Sequence, residues 1–145
     1  MLKKILIALV VTLISTTSEA GVLAKAQQYM GLHESRNNKT LKKVLGVNPA
    51  RTPWCGHFLG MVVRTTGKKP PKNYSFARSW VSYGMAVPTK RARPGDVVVV
   101  RTGRGYHVGV MQSLTSQGVN LVGGNQSNRV QKSTFSRKAI VAIRR

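Results

Sequence analysis

Residues 94–112 read PGDVVVVRTGRGYHVGVMQ, and the pattern of the chain changes at their start. Asp96 to Arg101 is a β-branched run, short enough for a buried strand, introduced by the turn pair Pro94-Gly95. Thr102 to Gly105 (Thr-Gly-Arg-Gly) is a turn. Tyr106 to Gln112 then alternates: His107, Gly109 and Met111 share one face, Tyr106, Val108 and Val110 the other. Two strands joined by a short glycine-rich turn make an antiparallel hairpin.

Downstream the strand pattern continues. Ser116-Gln117-Gly118 makes another turn, Val119 to Val122 a third strand, followed by Gly123-Gly124-Asn125-Gln126. Ala139 to Ile143 is a last strand before Arg144-Arg145. Upstream the period is helical. Gly21 to Leu32 places Val22, Leu23, Ala26, Tyr29 and Met30 near one stripe. Asn37 or Asn38 caps a second short helix that runs through Leu45 and is stopped by Gly46. Val47 to Thr52 is a loop. Pro53-Trp54-Cys55 opens a third helix, to about Thr66, with Phe58, Leu59, Val62 and Val63 as its apolar face and Gly67 at its end. Lys68 to Asn73 is an extended basic loop, and Phe76 to Tyr83 a short helix closed by Gly84. Helices first and adjacent strands later give an α+β fold with an antiparallel sheet. There is no internal repeat, and 145 residues suit one domain.

The first twenty residues stand apart. Met1-Leu2-Lys3-Lys4 is a positive start, Ile5 to Ile14 an apolar run, and Ser18-Glu19-Ala20 puts small residues at a cleavage position. That order describes a secretory signal peptide over residues 1–20, cut after Ala20, with the folded domain expected over 21–145. The alternative is an uncleaved inner-membrane anchor, although the apolar run falls short of the roughly 20 residues a span needs. Losing Lys3, Lys4 and Glu19 leaves 22 basic residues against two acids, Glu34 and Asp96, a net charge of +20. Such a charge calls for a polyanionic partner. With export, that partner is the carboxylate- and phosphate-rich envelope, in the periplasm or outside the cell, and not nucleic acid. Single-strand binding would want aromatics interleaved with the basic residues; Trp54, Trp80 and Phe58 fall in predicted helices instead. High like charge also favours a monomer.

Cys55 is the one cysteine, so it has no partner within its own chain. An unpaired thiol in an oxidising compartment is a liability, which favours a reactive group. Its place at a helix N-terminus, where free N–H groups and a partial positive charge favour a thiolate, suits a nucleophile. The same place suits a small core residue. Among the histidines, His33 reads as a helix-end residue and His57 as a surface or packing residue, pointing to another side of the helix from Cys55. His107 has space beside it, provided by Gly109, and is the candidate base; a half-buried strand histidine is the plainer reading. An amide in Gly123-Gly124-Asn125-Gln126 can reach the ring and hold its tautomer, or the segment is simply a turn. No zinc-ligand spacing exists, so no metal or other cofactor is expected. Glu34 and Asp96 do not pair as a glycosidase site would require, and Asp96 reads as a turn residue.

Five blocks occur in one order: Pro53-Trp54-Cys55-Gly56-His57-Phe58, Ala77-Arg78-Ser79-Trp80 with Tyr83-Gly84, Pro94-Gly95-Asp96-Val97-Val98-Val99, His107-Val108-Gly109-Val110, and Gly123-Gly124-Asn125-Gln126. The series resembles the papain-like CHAP and NlpC-type peptidoglycan hydrolases, in particular a small phage-associated branch. Gly31 to Glu34 also matches the opening G-x-x-E stretch of that branch. The resemblance covers roughly Gly31 to Arg145. It implies a nucleophile helix packed on a small antiparallel sheet, with Cys55 as nucleophile, His107 as base and Asn125 as the third polar residue. Gln126 is the alternative for that third role. Many CHAP members carry a glutamate two residues before the asparagine; here that position is Gly123, so a four-member site does not carry over. Glu34 and Trp54 are secondary candidates, Glu34 with a structural role foremost. The implied activity is amidase or endopeptidase cleavage of peptidoglycan; the rival is a non-catalytic basic protein that binds anionic envelope polymers or nucleic acid. The bond cut, a phage or bacterial source and any immunity or inhibitor partner are not written in the sequence.

Overall fold

The computed structural model describes residues 17–145, with side chains from Gly21 onward. The signal-peptide reading therefore falls outside the described residues except for 17–20, which are helical. Three α-helices come first: α1 (Thr17–Gln27), α2 (Asn38–Leu45) and α3 (Cys55–Thr65). A 3-10 helix at Ala77–Ser82 follows, then five strands: β1 (Val97–Thr102), β2 (Gly105–Leu114), β3 (Val119–Gln126), β4 (Arg129–Phe135) and β5 (Ile140–Arg144). The strands form one antiparallel sheet in the order β4-β3-β2-β1-β5. Among the described residues no helix is long and apolar enough to cross a membrane.

The sheet is apolar on both faces, which explains the unbroken valines of β1. Val97, Val99, Val108, Val110, Val122 and Val130 pack with Phe58, Leu59, Val62 and Val63 of α3 and with the buried Trp54 and Trp80. Val98, Val100, Met111, Leu121 and Ile143 form a second cluster on the opposite face. Gly124 permits the close approach of α3 to β3: a Cβ there would lie 2.7 Å from Phe58 Cβ and from Trp54 Cζ3.

Several elements differ from expectation. The first helix ends at Gln27 and not at Leu32. Beyond it the chain turns through Gly31 at φ 88°, and the Gly31 N–H donates to Val130 O. His33 then pairs with Arg129 at the sheet edge. The third strand runs on to Gln126, and β4 is an unforeseen edge strand. Its outward residues are polar, as suits an edge exposed to water. Asp96 is more than a turn residue. It is fully buried, accepts from the Arg93 N–H, and holds Arg145 through two contacts, 2.7 Å from Nε and 2.9 Å from Nη2.

Candidate active site

Cys55 is the first residue of α3, and the helix starts with the Phe58 N–H donating to Trp54 O. Its side chain is buried but opens on a cavity of about 840 Å³. Burial pushes the thiol above its ordinary range, because a buried anion loses its water. Backbone groups of Val108, Gly56 and Cys55 oppose that shift by favouring the thiolate. The contact with Val108 sets the sulfur against the residue that follows His107.

His107 lines the same cavity from β2. Its ring stacks on Phe135 at 5.3 Å between centroids, with 23° between the planes. Burial pushes its pKa below the ordinary imidazole value, and the bond to Gln126 partly offsets this. Gln126 Oε1 lies 2.9 Å from His107 Nε2. The Gln126 amide nitrogen donates to Leu121 O at 3.1 Å and Gln131 O at 2.7 Å. Two carbonyls demand the NH₂ group on their side, so the oxygen must face the ring. An acceptor at Nε2 places the proton on Nε2 and leaves Nδ1 with a free lone pair.

Gln126 and not Asn125 therefore holds the ring, and the cause is a β-bulge. Gly123 pairs with Gln131 and Gln126 with Arg129, three steps on β3 against two on β4. The extra residue is absorbed with Asn125 at φ 58°, left-handed backbone that asparagine tolerates better than most residues. In a regular strand residues 123 and 125 share a face. The bulge hands that face to Gln126. Gly123 leaves the space: a Cβ there would sit 2.6 Å from Gln126 Oε1 and 3.4 Å from His107 Nε2. Ser127 (φ 52°) and Asn128 (φ 63°) then make the two-residue turn into β4. Asn125 lines the cavity.

The secondary candidates lie behind this group. Glu34 Oε2 accepts from the indole Nε1 of Trp54 at 3.0 Å, and the Glu34 N–H donates to Asn128 O. Glu34 thus ties Trp54, beside the thiol, to the β3–β4 turn. His57 is half-buried with its ring edge-on to Tyr74; burial and then Arg64 lower its pKa. His33 Nδ1 accepts from the Ser35 N–H in the turn after α1. Phe135, which stacks on the His107 ring, drew no notice in the sequence; its signal is a lone aromatic on an edge strand whose outward residues are polar. Among the described residues no three His, Cys, Asp or Glu side chains form a metal cluster.

No protein-family model matches the chain, and no curated protein does. Solved structures do match. A P60 domain from a Mycobacterium avium subspecies paratuberculosis antigen is 17% identical, covers 88% of this chain and 93% of that one, and has a TM-score of 0.59. The chain has the papain-like NlpC/P60 fold. The peptidoglycan hydrolase RipB of Mycobacterium tuberculosis is 16% identical over 88% of this chain and 64% of its own, with a TM-score of 0.58. An NlpC/P60 family protein from Bacillus cereus is 12% identical over 88% and 39%, with a TM-score of 0.57. The chain thus spans less than two thirds of the length of RipB and of the Bacillus cereus protein, and most of the P60 domain.

Proposed function

We propose that this chain is a cysteine hydrolase that cuts amide bonds of bacterial peptidoglycan. The observation that carries the reading is the grouping of Cys55 and His107 on one cavity, with Gln126 on the far nitrogen of the ring. A fold shared with a peptidoglycan hydrolase supports it. Nδ1 of His107 takes the proton from Cys55 Sγ, and the thiolate attacks the carbonyl carbon of a stem-peptide amide. The oxyanion that develops meets N–H groups at the α3 N-terminus, with the Cys55 N–H as first donor. His107 passes its proton to the leaving amine, and the C–N bond breaks. Water then attacks the thioester, His107 again takes and returns the proton, and the acyl group leaves. Gln126 keeps the ring in the productive tautomer and strengthens its hold when the ring becomes imidazolium.

Residues 1–20 serve in this reading as the export signal, and the net charge of +20 beyond them concentrates the enzyme on anionic wall. The test is digestion of purified peptidoglycan by the chain beside its Cys55→Ala variant, with soluble fragments identified by mass spectrometry. Fragments from the native chain alone support the hydrolase, and their termini name it amidase or endopeptidase. Silence on several wall types, with tight salt-sensitive binding to wall or lipopolysaccharide, rejects it in favour of a non-catalytic polyanion-binding protein.

A further inference from the structure

The imidazole of His107 has a neighbour that the proton transfers leave out. Phe135, the last residue of β4, stacks on the ring at 5.3 Å between centroids, with 23° between the planes. That spacing and tilt are those of a specific offset contact between rings. Both side chains line the cavity. The imidazole is therefore bounded twice. Gln126 Oε1 lies 2.9 Å from its Nε2 edge, and Phe135 covers a face. An edge partner selects the tautomer but leaves the plane of the ring free to tilt; a face partner removes that freedom. Phe135 is itself held in place. Its backbone pairs with Val119, and Gly118 packs so closely that a Cβ there would lie 2.4 Å from the Phe135 carbonyl oxygen. Its half-buried side chain packs on the apolar cluster that contains Val119 and Leu121.

The stack also has an electrostatic consequence. The face of a phenyl ring is the negative pole of its quadrupole, and a cation within about 6 Å of the centroid is attracted to it. The attraction grows where water is excluded. A neutral imidazole gains little from such a face, and an imidazolium gains more. Burial opposes the charged form of His107, so that form needs compensation. Among the described residues no carboxylate lines the cavity; the other groups there that titrate or carry charge are Cys55, Arg104 and Tyr106. Stabilising the imidazolium from the protein side thus falls to neutral partners, the Gln126 amide oxygen and the Phe135 face.

We infer that Phe135 is a positioning residue for the reaction: its ring fixes the plane of the His107 imidazole and stabilises the imidazolium through its π face. The inference rests on the hydrolase reading above and adds to it a group that acts through His107.

The experiment compares the native chain with Phe135→Leu, Phe135→Tyr and a chain carrying pentafluorophenylalanine in place of Phe135. Pentafluorophenylalanine nearly keeps the shape of the ring but reverses its quadrupole, so it separates packing from charge. Two readouts are taken on each protein: titration of the His107 ring by NMR, and fragment release from peptidoglycan across pH. In Phe135→Leu the His107 midpoint is expected to move to lower pH, and in the pentafluorophenyl chain further still. The acid limb of the rate should follow the midpoint, and the plateau rate should drop by about tenfold in both, the size of a partly desolvated cation–π contact. Phe135→Tyr keeps the π face and should stay within about twofold of the native rate. A midpoint and acid limb that do not move in the pentafluorophenyl chain overturn the inference and leave Phe135 as packing. A folded Phe135→Leu chain that keeps the native rate overturns it too. If the native chain releases no fragments, the hydrolase reading fails and the Phe135 role falls with it; an unmoved midpoint in a set of active chains removes the Phe135 role alone.

Discussion

Replacing Gln126 by alanine removes three hydrogen bonds held by one buried side chain. Two of them satisfy the carbonyls of Leu121 and Gln131. Leaving those acceptors without donors costs about 1–3 kcal/mol of stability. The third acts on rate. In the resting ring it is a neutral bond, and at the transition state it becomes a bond to imidazolium. The difference between a neutral and a charge-assisted bond is about 1–2 kcal/mol. At 1.4 kcal/mol per decade that slows the reaction by roughly 5- to 30-fold. Freeing the ring to take the unproductive tautomer adds to the loss, so kcat/KM is expected to drop by about 30- to 100-fold.

The same bond raises the His107 pKa against the effect of burial, so its loss moves the acid limb of the pH–rate profile to lower pH. Gln126→Glu moves that limb the other way, because a carboxylate against Nε2 favours the charged ring. Fragment release from peptidoglycan, followed across pH for both variants, is the assay. Asn125→Gly is the control, since glycine keeps the left-handed bulge without the side chain. The assignment is refuted if Gln126→Ala stays within about twofold of the native rate while Asn125→Gly loses two decades.

Three further outcomes are expected. Arg145→Ala leaves the fully buried Asp96 without its guanidinium and should cost about 3–5 kcal/mol in urea unfolding; adding Asp96→Asn should recover part of that loss. Gly124→Ala sets a methyl against the Trp54 indole and the Phe58 Cβ, where nothing flexible can yield, and should lower stability by about 1–3 kcal/mol in thermal melts. Stability should also depend on pH at both ends. His107, with its folded pKa depressed, contributes fully above 6.5, and that contribution is lost as the pH falls through its folded value. Cys55, with its folded pKa raised, contributes fully below 9.0, and that contribution is lost as the pH rises through its folded value. Cys55→Ala should therefore weaken the alkaline loss and leave the acid one, as read from chemical denaturation at a series of pH values.

The order of elements was legible because hydrophobic period is a local property. β1 shows it as an unbroken valine run buried on both faces, β2 as an alternation whose Val108 and Val110 meet α3 while Met111 meets the opposite cluster. What escaped depended on contacts far along the chain. β4 has only Val130 and Phe135 as large apolar residues, so its strand character comes from pairing with β3 and not from its own pattern. The path of the chain just after α1 depends on Val130, about a hundred residues on, which captures the Gly31 N–H. The role of Asp96 is likewise invisible without Arg145, its partner at the end of the chain.

The choice between Asn125 and Gln126 shows why a motif can be found and its members still exchanged. Strand parity assigns side chains to faces two by two, and one inserted residue reverses the assignment for everything beyond it. Counting from Gly123, which stands beside the ring of His107, parity gives residue 125 to that ring. The bulge gives it residue 126. The backbone requirement falls on Asn125, a residue type that bears φ 58° readily, and the hydrogen-bonding requirement on Gln126, whose longer side chain spans from the ring to two carbonyls. The two adjacent amides are therefore not alternatives for one task. Asn125 makes the bulge, the bulge aims Gln126, and Gly123 gives the aimed amide its room. Exchanging the two residues would put a longer side chain at the left-handed position and a shorter one against the His107 ring, so the order Asn-Gln is dictated by geometry even though the composition is preserved.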